Sequence, residues 1–333
     1  MSHAVKELQS GGLVAFPTET VYGLGANALN PEAVRKIFAA KGRPGDNPLI
    51  VHIANLEMLE PLVKEFSPIA KQLAEAFWPG PLTLVLPKSD LVGPEVTAGL
   101  DTVAVRMPQH PIALRLIELA RVPVAAPSAN TSGRPSPTVA QHVVEDLHGK
   151  LNVIIDGGPV GIGVESTVLD ISGEVPMILR PGGITAEMIA QVLGREVAMD
   201  PTLAGASIEE TPKAPGMKYT HYAPQAPMTV FVGSEQAMVQ AIQTQAHQLE
   251  QEGRRVGIMA TVESAAQYAN GLVLEVGSRH DLGTVAAKLY AVLRQFDSAG
   301  VDVILAEGFP AEGLGVAVMN RLNKAAGQSI IRV

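Results

Sequence analysis

Cysteine is absent from all 333 residues. Disulfides, thiol catalysis and thiolate metal sites are therefore excluded, and the absence suits a reducing compartment. Aromatic residues are scarce, at 4%, and no apolar run is long enough to span a bilayer. The first nine residues lack the basic-then-apolar order of a signal peptide. A cytoplasmic protein without membrane association is expected. An excess of positive charge is missing too. The net charge of −8 argues against broad, sequence-independent nucleic-acid binding, although a local basic cleft stays open. There is no P-loop, G-x-S-x-G, zinc spacing or EF-hand loop.

What remains is a well-cored α/β composition, 47% hydrophobic. The length exceeds what one core usually organises, so two domains are expected. Their expected bounds are 1–200 and 228–333, joined by a linker at 201–227. In the first, apolar runs predict strands at 13–16, 48–53, 82–86, 102–107, 122–126, 152–156, 164–171 and 177–179. Helices are predicted at 31–40, 67–77, 111–120, 138–147 and 185–193, two of them opened by Asn30-Pro31 and Ser67-Pro68. Residues 17–27 read as a loop. In the second, strands at 229–232, 255–259, 272–276 and 301–305 alternate with helices at 234–252, 262–269 and 282–299. That alternation implies a parallel, Rossmann-like sheet with right-handed crossovers. Its first turn, Gly233-Ser234-Glu235, lacks G-x-G-x-x-G, so nucleotide binding is not assigned to it.

The chemistry gathers in loops at strand ends. Residues 41–48 (KGRPGDNP) hold Gly or Pro at four of eight positions, which forbids regular structure. Lys41 and Arg43 lie two apart and can converge on one anion, Arg as a planar fork and Lys as a point charge. As a charged loop side chain, Lys41 is expected to matter little for stability. Residues 17–27 add hydroxyls, with Gly23 and Gly25 allowing close backbone approach. Residues 127–137 form a third small, hydroxyl-rich loop after a strand, where ligands sit in open α/β sheets. Arg106 stands between apolar strand neighbours and calls for an anionic partner. His52, alone on its strand, reads more readily as a packed residue than as a catalyst. From the residues alone, the sum is a cavity for a nucleotide and a small polar co-substrate.

The loops also resemble a known family. Residues 16–25 (FPTETVYGLG), 41–48 (KGRPGDNP), 78–83 (WPGPLT), 126–133 (APSANTSG), 165–168 (ESTV) and 180–183 (RPGG) are similar to the threonylcarbamoyl-AMP synthases of the YrdC-like family. Residues 215–224 (PGMKYTHYAP) match the linker of its long, two-domain form. The resemblance covers essentially the whole chain, with seven motifs in order. It implies a twisted α/β catalytic domain with a concave cavity, followed by a Rossmann-like domain. The implied activity is a nucleotidyl transfer: L-threonine, bicarbonate and ATP give L-threonylcarbamoyladenylate and pyrophosphate. The product would pass to the machinery that modifies the adenosine beside the anticodon of tRNA.

By resemblance, Thr20, His52, Arg106, Ala126 and Ser166 hold threonine, with Arg106 on its carboxylate. Arg43, Asn47, Thr102, Ser128, Asn130, Ser136, Arg180 and Tyr222 hold ATP. Lys41 and Arg43 face the phosphates as the catalytic pair. Mg2+ is expected with ATP, without dedicated protein ligands. Residues 214–224, with Lys218, His221 and Tyr222, are expected to act as a lid. Two other classes stay open. One is a double-stranded-RNA-binding protein, for which strong binding is not expected. The other is a sugar-phosphate lyase or synthase, which would need Glu19 and Glu165 as a metal-binding pair.

Overall fold

The computed structural model describes residues 1–204 and 222–333. Of these, residues 1–132 and 136–204 form one compact unit, and residues 133–135 with 222–333 form another.

The first unit runs α1 (Ser2–Gln9), β1 (Val14–Phe16), β2 (Gly23–Asn27), α2 (Pro31–Lys41), β3 (Ile50–His52), α3 (Pro68–Phe77), β4 (Leu82–Pro87), α4 (Pro94–Thr97), β5 (Thr102–Arg106), α5 (Pro111–Ala120), β6 (Val124–Ala125), α6 (Ala140–Leu147), β7 (Val153–Ile154), β8 (Thr167–Asp170), β9 (Met177–Arg180), α7 (Ala186–Leu193) and β10 (Ala198–Met199). Among the described residues the strands form one mixed sheet, ordered β10-β9-β8-β4-β5-β3-β6-β2-β1-β7. One core packs Leu24, Ile37, Val51, Leu84 and Val105; a second joins Leu8, Phe16 and Leu116.

Local chemistry explains how α2 delivers its cations. The Asn30 side chain accepts hydrogen bonds from the backbone N–H groups of Glu32 and Ala33, and Pro31 opens the helix. Gly42 closes it in the left-handed region, at φ +63°. Lys41 is thus the last helical residue, and Arg43 follows a sharp turn. The expected loop at 17–27 needs correction, because residues 23–27 are β2, paired antiparallel with β1. A Cβ on Gly25 would come within 2.7 Å of Phe16 and Val124, so this glycine serves close packing in a strand. The strand expected from 164 starts at Thr167, which leaves Ser166 at its mouth.

The second unit contains β11 (Met228–Val232), α8 (Glu235–Gln251), β12 (Val256–Thr261), β13 (Leu272–Gly277), α9 (Leu282–Ala299), β14 (Val303–Glu307), α10 (Leu314–Ala325) and β15 (Ile330–Arg332). Its sheet is parallel, in the order β13-β12-β14-β11-β15. The helix expected at 262–269 is only a 3-10 turn at Ala265–Gln267. Unexpected are α10 and β15. A Cβ on Gly315 would sit 1.9 Å from the Pro310 carbonyl oxygen, so glycine permits the tight start of α10. Within this unit residues 133–135 are held by Arg294, which donates to the Pro135 carbonyl at 2.6 Å, and by the Ala223 N–H, 2.9 Å from the Gly133 carbonyl.

Candidate active site

The parallel pairing of β3 with β5 sets His52 beside Arg106 at the carboxyl ends of their strands. Arg106 is 3% exposed. Its Nε donates to the Gly80 carbonyl at 3.2 Å and its Nη1 to Thr20 Oγ1 at 2.9 Å. Its Nη2 lies 2.6 Å from Glu19 Oε1. The Thr20 hydroxyl is in turn 2.9 Å from that of Thr18. Burial, then the Arg106 charge, pushes His52 down to about 3, so its ring is neutral near pH 7. His52 Nδ1 is 3.2 Å from the Ile50 carbonyl, an acceptor only, so Nδ1 carries the hydrogen and Nε2 is left to accept. The same carbonyl receives the Ala126 N–H at 2.9 Å, which brings Ala126 alongside.

Lys41 is buried as well. Its Nζ donates to the carbonyls of Ser128 and Asn130, at 2.5 and 2.7 Å, and approaches Asn130 Oδ1 at 3.4 Å. Three acceptors match the three protons of an ammonium. Burial and the neighbouring Arg43 charge lower its pKa well below the usual lysine value, while Asp146 and Glu165 oppose that. Lys41 therefore fastens the 127–130 loop. The main chain holds the other side of that loop: the Leu24 N–H donates to the Pro127 carbonyl and the Ala129 N–H to the Tyr22 carbonyl, both at 2.8 Å.

Two further pairs extend the cluster. Arg180 reaches Ser166 twice, Nε to the carbonyl and Nη2 to the hydroxyl, each at 3.1 Å, and that hydroxyl lies 2.7 Å from Thr83 Oγ1. Ser136 donates to Glu165 Oε1 at 2.5 Å. Asn47 and Arg43 are buried just before β3, and Thr102 opens β5 half-buried.

The structure thus draws Thr20, His52 and Arg106 into one group with Ala126 beside them, and it joins Lys41 to Ser128 and Asn130 and Ser166 to Arg180. Tyr222 is placed differently, within the second unit. It is 5% exposed, its ring stacks on Tyr290 at 5.2 Å, and the Arg321 guanidinium lies 5.6 Å from it. Lys218, His221 and most of the expected lid at 214–224 lie outside the described residues. The sequence reading did not give Glu19, Thr83, Asp146 and Glu165 their places in this network. Glu19 and Glu165 adjoin named site residues, but their partners are distant in sequence, Arg106 on β5 and Ser136 in the loop before α6. Among the described residues no three His, Asp or Glu side chains converge as a metal site.

Buried cations held by backbone carbonyls and set beside hydroxyls suit carboxylate and phosphate recognition. Two family models divide the chain accordingly. One, described as Telomere recombination, matches residues 6–182, and one described as Threonylcarbamoyl-AMP synthase, C-terminal domain, matches residues 184–327. A threonylcarbamoyl-AMP synthase of Bacillus subtilis (strain 168) is 54% identical across 100% of this chain and 94% of its own length. The chain belongs to the threonylcarbamoyl-AMP synthase family. Its fold matches the crystal structure of Pyrococcus abyssi Sua5 complexed with L-threonine, with a TM-score of 0.95, 53% identity and coverage of 99% and 95% of the two chains. Family members differ in extent. The threonylcarbamoyl-AMP synthase of Vibrio campbellii is 36% identical over 180 residues, which are 54% of this chain but 96% of that protein. As a threonylcarbamoyl-AMP synthase family member, this chain is of the long form. No helix among its described residues is long and apolar enough to cross a membrane.

Proposed function

We propose that this protein makes L-threonylcarbamoyladenylate from L-threonine, bicarbonate and ATP, with release of pyrophosphate. The observation that carries the reading is the buried Arg106 guanidinium flanked by Thr20 and a neutral His52. A fixed cation beside small polar groups at a strand end fits a hydroxy amino acid better than a sugar or a base. In this reading Arg106 takes the threonine carboxylate, and Thr20, His52, Ala126 and Ser166 shape the pocket around the rest. Arg43, Asn47, Thr102, Ser128, Asn130, Ser136 and Arg180 take ATP, and Tyr222 joins them if residues 214–224 close as a lid.

Bicarbonate takes up a proton and loses water to give CO2. The threonine nitrogen, once its ammonium form has given up a proton, attacks that CO2 and releases a second proton, giving a carbamate. The carbamate oxygen then attacks the α-phosphorus, and pyrophosphate leaves. Charge grows on the phosphoryl oxygens, where a guanidinium is most effective in a dry site. Lys41 serves this step by holding Ser128 and Asn130 in place, since its own protons go to their oxygens. Mg2+, arriving on the triphosphate, would supply further charge neutralisation there. Carbamate and acyl phosphate both hydrolyse readily, so burial of the site protects the yield. We infer that the product passes in the cytoplasm to the machinery that modifies tRNA beside the anticodon.

The deciding assay follows pyrophosphate release and capture of labelled bicarbonate, omitting threonine, bicarbonate and ATP in turn. The reading expects strict dependence on all three. Pyrophosphate release that ignores threonine would end it.

A further inference from the structure

Glu19 is a buried charge to which the proposed reaction gives no task. Its side chain is about nine-tenths buried and forms an ion pair with Arg106 at 2.6 Å. The pair is out of hydrogen-bond alignment: neither Glu19 oxygen, nor Arg106 Nη2, makes a directed hydrogen bond. The other two groups of the same guanidinium are well aimed, at Gly80 and Thr20. Nor is Glu19 loosely placed. Its own carbonyl accepts the Ile162 N–H at 2.8 Å, and that of Thr20 accepts the Gly163 N–H at 3.1 Å. A buried carboxylate is costly unless paired and hydrogen-bonded, and this one is paired without being hydrogen-bonded.

We propose that Glu19 receives the α-ammonium group of the substrate while Arg106 receives its α-carboxylate. The inference rests on the reading that threonine binds at Arg106. An α-amino acid carries its two charges one carbon apart, so the charges that recognise it must be neighbours, as Glu19 and Arg106 are. The three N–H groups of an ammonium supply the donors that both Glu19 oxygens lack. A zwitterion is neutral overall, so it enters a pocket already balanced without burying net charge. Before substrate arrives, the two side chains neutralise one another. When it binds, each exchanges a misaligned contact for an aligned one. Glu19 thereby fixes which end of the amino acid faces the chemistry.

The test uses the full chain and titration calorimetry with two probes, L-threonine and 3-hydroxybutanoate, which keeps the carbon chain and lacks the amine. Wild type is expected to prefer threonine on the order of 100-fold or more, the scale of a desolvated charge pair. Glu19→Gln should bring that ratio below about 10-fold, because the amide loses the charge that the ammonium sees. If Glu19 only props Arg106, the substitution weakens both probes alike; an unchanged ratio overturns the proposal and leaves the threonine reading standing. Should Glu19→Gln not fold, Glu19→Asp decides: a ratio lowered several-fold supports the role, and a wild-type ratio refutes it. Wild type that binds no threonine refutes the reading of function itself, and the role of Glu19 with it.

Discussion

Arg106 and Lys41 are the residues at which single substitutions say most. Arg106→Ala removes the only cation paired with a nearly buried Glu19 among the described ion pairs. Stability should fall by about 3–5 kcal/mol, the cost of a buried charge left uncompensated. The KM for threonine should rise far more than that for ATP; an equal rise in both would mean general collapse of the site. Lys41→Ala is expected to lower turnover by roughly 100-fold or more. The structure also alters what its stability should do. As a charged loop residue Lys41 reads as dispensable, but it is buried at the end of α2 with three acceptors around it. Its loss should cost about 1–3 kcal/mol, since buried carbonyls lose their donor. Urea denaturation of the variant measures this, and an unchanged midpoint would contradict the anchoring role. Residue types at the site were legible in the sequence, because hydroxyls and cations cluster in Gly/Pro-rich loops. Their pairings were not. Lys41 meets residues 87 and 89 positions away, and Arg106 meets Thr20 at a separation of 86. No local pattern encodes such distances.

At the scale of elements, caps were the most readable feature. Asn30 and Ser67 each open a helix with a side-chain hydrogen bond to the backbone, as their Pro neighbours announce. Glycine was the least readable, because it marks tight packing as well as turns. Gly25 in β2 reads as a loop residue and is not. Gly182 offers a test of the same principle. A Cβ there would meet the Thr167 nitrogen at 2.3 Å and the Glu165 carbonyl oxygen at 2.5 Å, both backbone atoms that cannot swing aside. Gly182→Ala should push residues 165–167 away from Arg180, destabilise by about 1–3 kcal/mol or more, and weaken both substrates together. A crystal structure of the variant with an unmoved Ser166 would refute this. The pairing of β3 with β5 has a consequence for pH. His52 has a folded pKa of about 3, while an unfolded histidine titrates near 6.5. Between those values the unfolded chain binds a proton that the folded chain refuses. The stabilising effect is therefore complete above about pH 6.5 and declines as pH falls toward 3, by at most about 1.4 kcal/mol per unit. His52→Gln should flatten that part of the stability profile. NMR resonances of His52 that titrate near pH 6.5 in the folded protein would show the ring to be accessible after all.

At the scale of the whole molecule, the question is what the first unit can do without the second. Its main core is drawn from residues between Leu13 and Ile189, so a chain ending at residue 200 keeps that core intact. The Vibrio campbellii relative, whose match to this chain spans nearly its whole length, shows that the family includes chains of about that extent. A 1–200 fragment is therefore expected to unfold in one cooperative transition and to retain threonine binding at Arg106. What it loses is specific. Residues 133–135 belong with the second unit, held by Arg294 and the Ala223 N–H, and they run directly into Ser136, a proposed ATP ligand. Tyr222 goes with the same deletion. The fragment should accordingly bind ATP more weakly while its affinity for threonine changes little. It should also consume more ATP per threonylcarbamoyladenylate, because a less ordered 127–137 loop lets water reach the labile carbamate and acyl phosphate. The ratio of pyrophosphate released to labelled bicarbonate captured reads this directly. Arg294→Ala in the full chain separates two causes. If anchoring of residues 133–135 is what matters, this variant should reproduce part of the ATP defect with threonine binding intact. If it behaves as wild type while the fragment does not, the defect belongs to residues 201–227 instead, and slower proteolysis within 214–224 when ATP and threonine are present would identify that segment as the lid. A fragment with unaltered ATP affinity and unaltered yield per ATP would refute both causes and leave catalysis wholly to the first unit.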